Sequence, residues 1–187
     1  MELTTQRLVL REYTPSDFAA VHAFASDPQT STFVEWGPNS EQDTGEFLKF
    51  CAATAAVVPR TGHTLAITLA GNVIGSIGLT VQPRTARHGA AEAELGYTLH
   101  SDAWGRGYAT EASRAIVEYG FSQLRLARIT ATCRPENVAS AGVLRKLGMD
   151  QVGHLKNDRL IRGRWLDTLV FAIDADGASP DADSAVT

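Results

Sequence analysis

The short apolar run in Arg7-Leu8-Val9-Leu10-Arg11 tends towards alternation and predicts a first strand. Pro15-Ser16-Asp17 then opens a helix, with Phe18, Val21, Phe24 and Ala25 at helical spacing. A second helix follows Ser40. Glu41 and Asp43 make an acidic first turn, Phe47, Phe50, Cys51 and Thr54 mark one face, and Pro59 ends the run. Trp36-Gly37-Pro38-Asn39 between the two reads as a turn. Thr64 to Leu69 and Val73 to Val81 are β-rich and joined by Ala70-Gly71-Asn72, which predicts a tight hairpin. The polar segment Gln82 to Gly89 reads as a mobile loop. Glu92 to Leu99 gives a further central strand, from which Gly105 and Gly107 lead into a long helix with Ala109, Ala112, Ile116 and Tyr119 on one face. Arg128 to Cys133 is another strand. Asn137 to Leu147 is a short helix, with Val138, Ala141, Leu144 and Leu147 at i, i+3 spacing and Gly148 as its C-cap. Residues 150–159 and 164–173 finish as two strands around Arg162-Gly163.

The order β-α-α-β-β-β-α-β-α-β-β predicts an α+β domain with a mixed, largely antiparallel sheet, and no repeat interrupts it. One domain is expected over residues 1–174. The small, acidic residues 175–187 hold too little apolar content to order themselves and are expected to form a disordered tail.

Composition narrows the function classes. The chain has 187 residues, 44% apolar and 20% charged, and no apolar run approaches the ~18 needed to cross a bilayer. Its first residues show neither a basic leader nor an apolar stretch after it, so a cytoplasmic protein without a membrane partner is the expectation. Cys51 and Cys133 stand far apart with no CxxC spacing, which argues against a disulfide framework and against a zinc site; no metal is expected. A net charge of −4 makes general nucleic-acid binding an unsuitable reading. That charge is uneven, however: residues 104–165 carry 11 Lys/Arg against 5 Asp/Glu, whereas residues 1–103 carry 6 against 11. The basic block fits an anionic ligand, the ordinary alternative being a solvated helix face.

Within that block, Gly105 and Gly107 flank Arg106 where a strand hands over to a helix. Free backbone N–H groups can converge there on one anion, with no Cβ in the way and with the helix dipole and Arg106 favouring negative charge. A purely conformational role for the two glycines is the alternative. The sequence has no GxxxxGK[ST] and no GxGxxG closing a βαβ unit, so neither a nucleoside triphosphatase nor a dinucleotide enzyme is supported.

Three segments together resemble the GNAT acetyltransferase superfamily, and within it the ribosomal-protein-serine/alanine N-terminal acetyltransferase-like branch. They are Glu94-Leu95-Gly96-Tyr97-Thr98-Leu99, the run from Trp104 to Ala112, and Asn137 to Met149, and the likeness extends from Thr5 to Ala172. The family's pyrophosphate motif is Gln/Arg-x-x-Gly-x-Gly/Ala; Trp104 stands at its first position, and Gly107 and Ala109 match the last two. The resemblance implies a GNAT fold with two splayed central strands, Glu92–Leu99 and Ile129–Cys133, and acetyl-CoA as cosubstrate. It implies backbone contacts from Gly105, Arg106, Gly107, Ala109 and Thr110 to the pyrophosphate. It places Tyr97, Thr98 and Leu99 beside the pantetheine, with Asn137 reaching the same arm; Asn137 reads equally as a helix N-cap.

Acyl transfer from a thioester to an amine needs a neutral amine, a stabilised oxyanion and a proton for the departing thiolate. Glu92 and Glu94 share a strand face, and Glu94 is the preferred base, directly or through water. The resemblance assigns the oxyanion to a backbone N–H of Tyr97-Thr98-Leu99. Many relatives carry a tyrosine seven residues after the Asn, where this chain has Leu144; Ser140 is the substitute acid that the branch implies, with solvent as the fallback. Trp36 and Trp165 are candidates for the acceptor pocket, and His100 is the one histidine expected near the cleft. Acceptor loops are expected at residues 30–45, 82–91 and 154–164. The acceptor, a protein N-terminus or a small-molecule amine, carries no motif, and a non-catalytic acyl-CoA sensor is a third reading. A homodimer is compatible with the sequence without being written in it.

Overall fold

The computed structural model describes residues 1–82 and 91–175. The loop expected at Gln82 to Gly89 and the tail expected over 175–187 fall outside the described residues, except for the first residue of each.

One eight-stranded sheet runs in the order β1-β2-β3-β4-β5-β6-β8-β7. Its strands are β1 (Glu2–Thr4), β2 (Leu8–Arg11), β3 (Gly62–Leu69), β4 (Asn72–Gln82), β5 (Ala91–Leu99), β6 (Leu126–Cys133), β7 (Asp150–Ile161) and β8 (Arg164–Asp174). Helices α1 (Phe18–Ala25), α2 (Glu41–Ala55), α3 (Tyr108–Ser122) and α4 (Val138–Lys146) pack around it. Every neighbouring pair is antiparallel except β5 and β6, so the sheet is mixed and largely antiparallel as the element order implies. The element that periodicity does not predict is β1; three residues are too few to show a pattern, and tertiary pairing with β2 makes it a strand.

Local chemistry sets the helix ends. Ser40 Oγ accepts from Asp43 N while Asp43 Oδ2 accepts from Ser40 N at 2.9 Å, a reciprocal cap that starts α2. Gly148, at φ +82, closes the turn after α4 in the left-handed region. The core lies between the sheet and α3 and α4: Leu65, Ile67, Ile77, Leu79, Ala93, Ile129 and Phe171 meet Ala112, Ile116, Ala141 and Leu144. On the opposite face, Val21, Phe24 and Ala25 of α1 form a second cluster with Phe47 and Leu48 of α2.

Strand β5 belongs to both faces. Ala93, Leu95 and Leu99 are buried in the main core, whereas Glu94, Gly96 and Thr98 alternate to the other side. Its parallel ladder with β6 runs from Ala91↔Leu126 to Leu95↔Ala131 and stops. Beyond that point β5 continues along β4 to Gly75↔Leu99, and β6 continues along β8 to Cys133↔Leu169. The two central strands therefore splay, leaving the Gly96–Leu99 edge without a ladder partner on one side. On the other side of that edge, a Cβ at Gly75 would stand 2.2 Å from the Thr98 carbonyl oxygen, so only glycine lets β4 lie this close to β5.

Candidate active site

Two cavities meet at the splay. One of about 780 Å³ lies on the α1/α2 side and one of about 530 Å³ on the α3/α4 side, and both are lined by Val34, Tyr97, Thr98 and Ser140. Any group bridging them passes the unpaired edge of β5.

The smaller cavity is built on the glycine-rich turn. Gly105 and Gly107 have φ of +72 and +80, a conformation that costs residues with a Cβ about 1 kcal/mol or more. Trp104 Nε1 donates to the Leu99 carbonyl at 2.9 Å, so the residue standing at the motif's first position ties the turn to the end of β5. Gly107 is the N-cap of α3 and offers no side-chain oxygen. The first backbone bond of the helix is Glu111 N to Gly107 O at 3.0 Å, so the N–H groups of Tyr108, Ala109 and Thr110 have no acceptor within the helix. Gly105, Gly107, Ala109 and Thr110 line the cavity, and a Cβ on Gly105 would meet nothing within 4 Å. This donor set, at the positive end of a 15-residue helix, fits a pyrophosphate. Arg106 is not among the lining residues. Its carbonyl accepts from Arg7 Nη1 at 3.1 Å.

Arg7 organises this turn from the far end of the chain. Besides Arg106, it bonds Glu111 through Nε at 2.7 Å and Nη2 at 2.6 Å, and its guanidinium lies 4.5 Å from the Tyr108 ring centre. Glu111 Oε1 also accepts from Thr5 Oγ1 at 2.6 Å and Arg7 N at 2.8 Å. Burial alone would push the Glu111 carboxyl up, but these hydrogen bonds outweigh it and hold the pKa below its ordinary value.

From α4, Asn137, Ser140 and Lys146 line the same cavity. Asn137 Oδ1 accepts from Ser140 N at 3.1 Å, so the N-cap role is real, and the cap leaves the Asn137 amide nitrogen unused. Ser140 Oγ lies 2.9 Å from the Tyr97 hydroxyl, which also bonds the Ser140 carbonyl at 3.2 Å. Burial pushes the Tyr97 phenol up to about 12, against a lowering by the Ser140 bond.

The larger cavity has a sheet floor and a helical roof. Thr64, Gly78 and Gly96 lie in register across β3, β4 and β5, beside Ser76↔Thr98 and Thr80↔Glu94. These small residues leave space that α1 (Val21, Phe24, Ala25), α2 (Asp43, Glu46, Phe47) and the loop from Val34 to Asn39 enclose. Glu94 lines this cavity and its Oε1 accepts from Thr132 Oγ1 at 3.3 Å, whereas Glu92 is not among the lining residues.

Of the other candidates, Trp36 lines the larger cavity, but Trp165 is 60% exposed and lines neither. The hairpin carrying Trp165 points its turn elsewhere: Arg162 Nη2 donates to the Gly37 carbonyl at 2.9 Å, bracing the loop that forms the cavity wall. The expected acceptor segment 154–164 thus supports the wall without lining it. His100 accepts from Asp102 N and lines neither cavity. Sequence reasoning missed the Arg7–Glu111 pair, 104 residues apart, and the partnership of the Tyr97 hydroxyl with Ser140; no spacing signal encodes either. Among the described residues no group of three or more His, Cys, Asp or Glu is placed to hold a metal ion. No helix among them is long and apolar enough to cross a membrane.

Comparison with known proteins agrees with this geometry. A family model described as "Acetyltransferase (GNAT) domain" matches residues 7–150. The chain is 32% identical over 177 residues to the uncharacterized N-acetyltransferase YnaD of Bacillus subtilis, covering 92% of this chain and 96% of that one. Among solved structures, Mycobacterium smegmatis RimJ in complex with CoA-disulfide superposes with a TM-score of 0.78 at 26% identity, over 94% of this chain and 87% of that one. The ribosomal-protein-S5-alanine acetyltransferase of Vibrio fischeri shares the fold, with a TM-score of 0.79 at 20% identity over 96% of this chain and all (100%) of that one. A cleft between splayed strands, an uncapped helix start beside it and a family match over most of the length agree: the chain belongs to the GNAT acetyltransferase family, acyltransferases whose cosubstrate is acetyl-CoA.

Proposed function

We propose that the protein transfers the acetyl group of acetyl-CoA to a primary amine, with the cosubstrate in the smaller cavity and the amine entering from the larger one. The observation that carries this reading is the meeting of the two cavities at Tyr97, Thr98 and Ser140, beside a strand edge that β6 leaves unpaired.

The N–H groups of Tyr108, Ala109 and Thr110, with Gly105 and Gly107, hold the pyrophosphate. Asn137 offers its free amide to the pantetheine, which runs along Tyr97, Thr98 and Leu99. A backbone N–H of that segment polarises the thioester carbonyl. The amine attacks the carbonyl carbon, the carbon–sulfur bond breaks, and the proton lost by nitrogen ends on the coenzyme sulfur, giving an amide and free CoA. Glu94, directly or through water, takes the proton that keeps the amine unreactive. The Tyr97 phenol, near 12, is a weaker acid than a thiol at about 8.5. Tyr97 and Ser140 therefore relay the proton towards sulfur and do not act as its reservoir.

A protein N-terminal α-amine is the first reading of the acceptor, supported by the name of the Vibrio fischeri neighbour. It is also chemically undemanding: near pKa ~7.8 roughly a seventh is neutral at pH 7, against about one in 2,500 for a lysine near ~10.4. A small-molecule amine is the second reading, favoured by the apolar, partly roofed cavity formed by Val21, Phe24, Trp36 and Phe47. Mass spectrometry after incubation with acetyl-CoA tests both, using peptides beginning with Ser or Ala, amino acids, polyamines and aminoglycosides. A single acetyl addition on any amine supports transfer. Saturable acetyl-CoA binding with no acetylated product across the panel would point instead to a sensor.

A further inference from the structure

The two cavities carry opposite charge. Among the described residues, Lys146 is the one charged residue lining the cosubstrate side, whereas the larger cavity is lined by Asp43, Glu46 and Glu94 and by no Lys, Arg or His. Each of the three is held by neutral donors only: Asp43 by Ser40 N and Oγ at 2.9 and 2.7 Å, Glu46 by Gln42 Nε2 at 2.9 Å, and Glu94 by Thr132 Oγ1 at 3.3 Å. None stands in an ion pair among the described residues. Among the described residues, no cation that lines the cavity offsets these three carboxylates; Arg162 reaches only the outer side of its wall, at the Gly37 carbonyl.

The carboxylates also occupy opposing walls. Asp43 and Glu46, three apart, share a face of α2 in the roof, and Glu94 stands on the floor opposite Thr80. The reacting amine accounts for only one of them. It must lose its proton before attack, and each further negative charge near it favours the ammonium and slows the reaction. Glu94 adjoins the strand edge and serves the reacting nitrogen. Asp43 and Glu46 remain, in a cavity that Phe24, Trp36 and Phe47 also line.

We propose that the preferred acceptor carries a second basic group, protonated throughout the reaction, besides the amine that is acetylated, and that Asp43 and Glu46 select it. This rests on reading the larger cavity as the acceptor site. The shared chemistry is a primary amine with a second cation within the reach of one cavity; a polyamine and a peptide with Lys or Arg just after its N-terminus are its two sources.

The test measures kcat/KM at saturating acetyl-CoA for two matched series. One compares butylamine with 1,4-diaminobutane; the other compares otherwise identical peptides beginning Ser-Ala, Ser-Lys and Ser-Glu. In at least one series the acceptor with the second cation exceeds the matched one without it by on the order of tenfold at low ionic strength, and the advantage shrinks as salt is added. The better series identifies the source. Glu46→Gln lowers the ratio of the acceptor with the second cation to the one without it by about threefold or more, and Glu46→Lys reverses the order of the Ser-Lys and Ser-Glu peptides. Equal values across both series, or ratios that the Glu46 variants leave unmoved, overturn the charge selection while acetyl transfer stands. No product with any acceptor, despite acetyl-CoA binding, overturns both the selection and the transfer reading beneath it.

Discussion

Arg7→Ala perturbs cosubstrate binding from a residue that lines neither cavity. The substitution removes the guanidinium bonds to Glu111, the bond to the Arg106 carbonyl at 3.1 Å and the stacking over Tyr108, leaving the backbone Arg7 N–H bond to Glu111 in place. It also leaves Glu111, in the first turn of α3, as an uncompensated negative charge beside the proposed pyrophosphate site. The Arg7 side chain is 42% exposed, so its ion pair is valued as a surface pair, about 0.5–1 kcal/mol. The carbonyl bond and the cation–π contact add roughly 0.5–1 kcal/mol each. The total of about 2 kcal/mol divides between the fold and the geometry of the turn. Affinity for CoA by isothermal titration then weakens about 5- to 30-fold, and the melting temperature falls by a few degrees, about 2–5 °C. KM for acetyl-CoA rises with it, while kcat at saturation stays within about threefold because no group near the reacting atoms has changed. Arg7→Ala combined with Glu111→Gln recovers part of the affinity, since the exposed anion is gone. A folded Arg7→Ala protein that binds CoA as tightly as the parent would refute the positioning role.

Tyr97→Phe removes the hydroxyl bonded to Ser140 and lowers kcat by on the order of 10- to 100-fold, whereas Ser140→Ala, which leaves that phenol in place, costs less; saturating turnover followed by thiol release ranks the two, and the reverse order would exchange their roles. Gly96→Val puts a side chain into space where a Cβ meets nothing within 4 Å, on the floor of the larger cavity. It should raise the acceptor KM by about tenfold while leaving CoA affinity and the melting temperature near the parental values, as titration and thermal unfolding will show. His63 is buried with neither ring nitrogen bonded, and burial, helped by Arg60, holds its pKa below 6.5. The unfolded chain therefore binds a proton that the folded one resists. Stability contributed by neutral His63 is complete above pH 6.5 and declines below it, by at most about 1.4 kcal/mol per pH unit. Melting curves between pH 5 and 8 should show this acid slope in the parent and a shallower one in His63→Leu.

Much of the local structure was legible in the chain because each signal is local. The Ser40–Asp43 cap, the Gly105 and Gly107 turn and the Gly148 stop depend on residues a few positions apart, and all appear where spacing puts them. The period of two also gave Glu92 and Glu94 one face of β5, although only Glu94 lines the larger cavity. Trp165 shows the limit. A tryptophan beside expected acceptor residues reads as a pocket wall, yet in the β7–β8 hairpin Trp165 is exposed and Arg162, at the turn, braces the wall instead.

The sequence by itself determined the class of fold, the family resemblance and the glycine-rich helix start proposed to hold the pyrophosphate, since periodicity, caps and a contiguous glycine motif act within one or two elements. Tertiary structure alone decided the rest. The β5–β6 ladder breaks after Leu95↔Ala131, Gly75 lets β4 close on Thr98, and the Tyr97 hydroxyl finds Ser140, 43 residues away. Arg7 neutralises Glu111 across 104 residues, and Asp43, Glu46 and Glu94 converge on one cavity from a helix and a strand. Such contacts arise from burying two faces of one sheet at once. Their energies depend on distances that no spacing along the chain encodes.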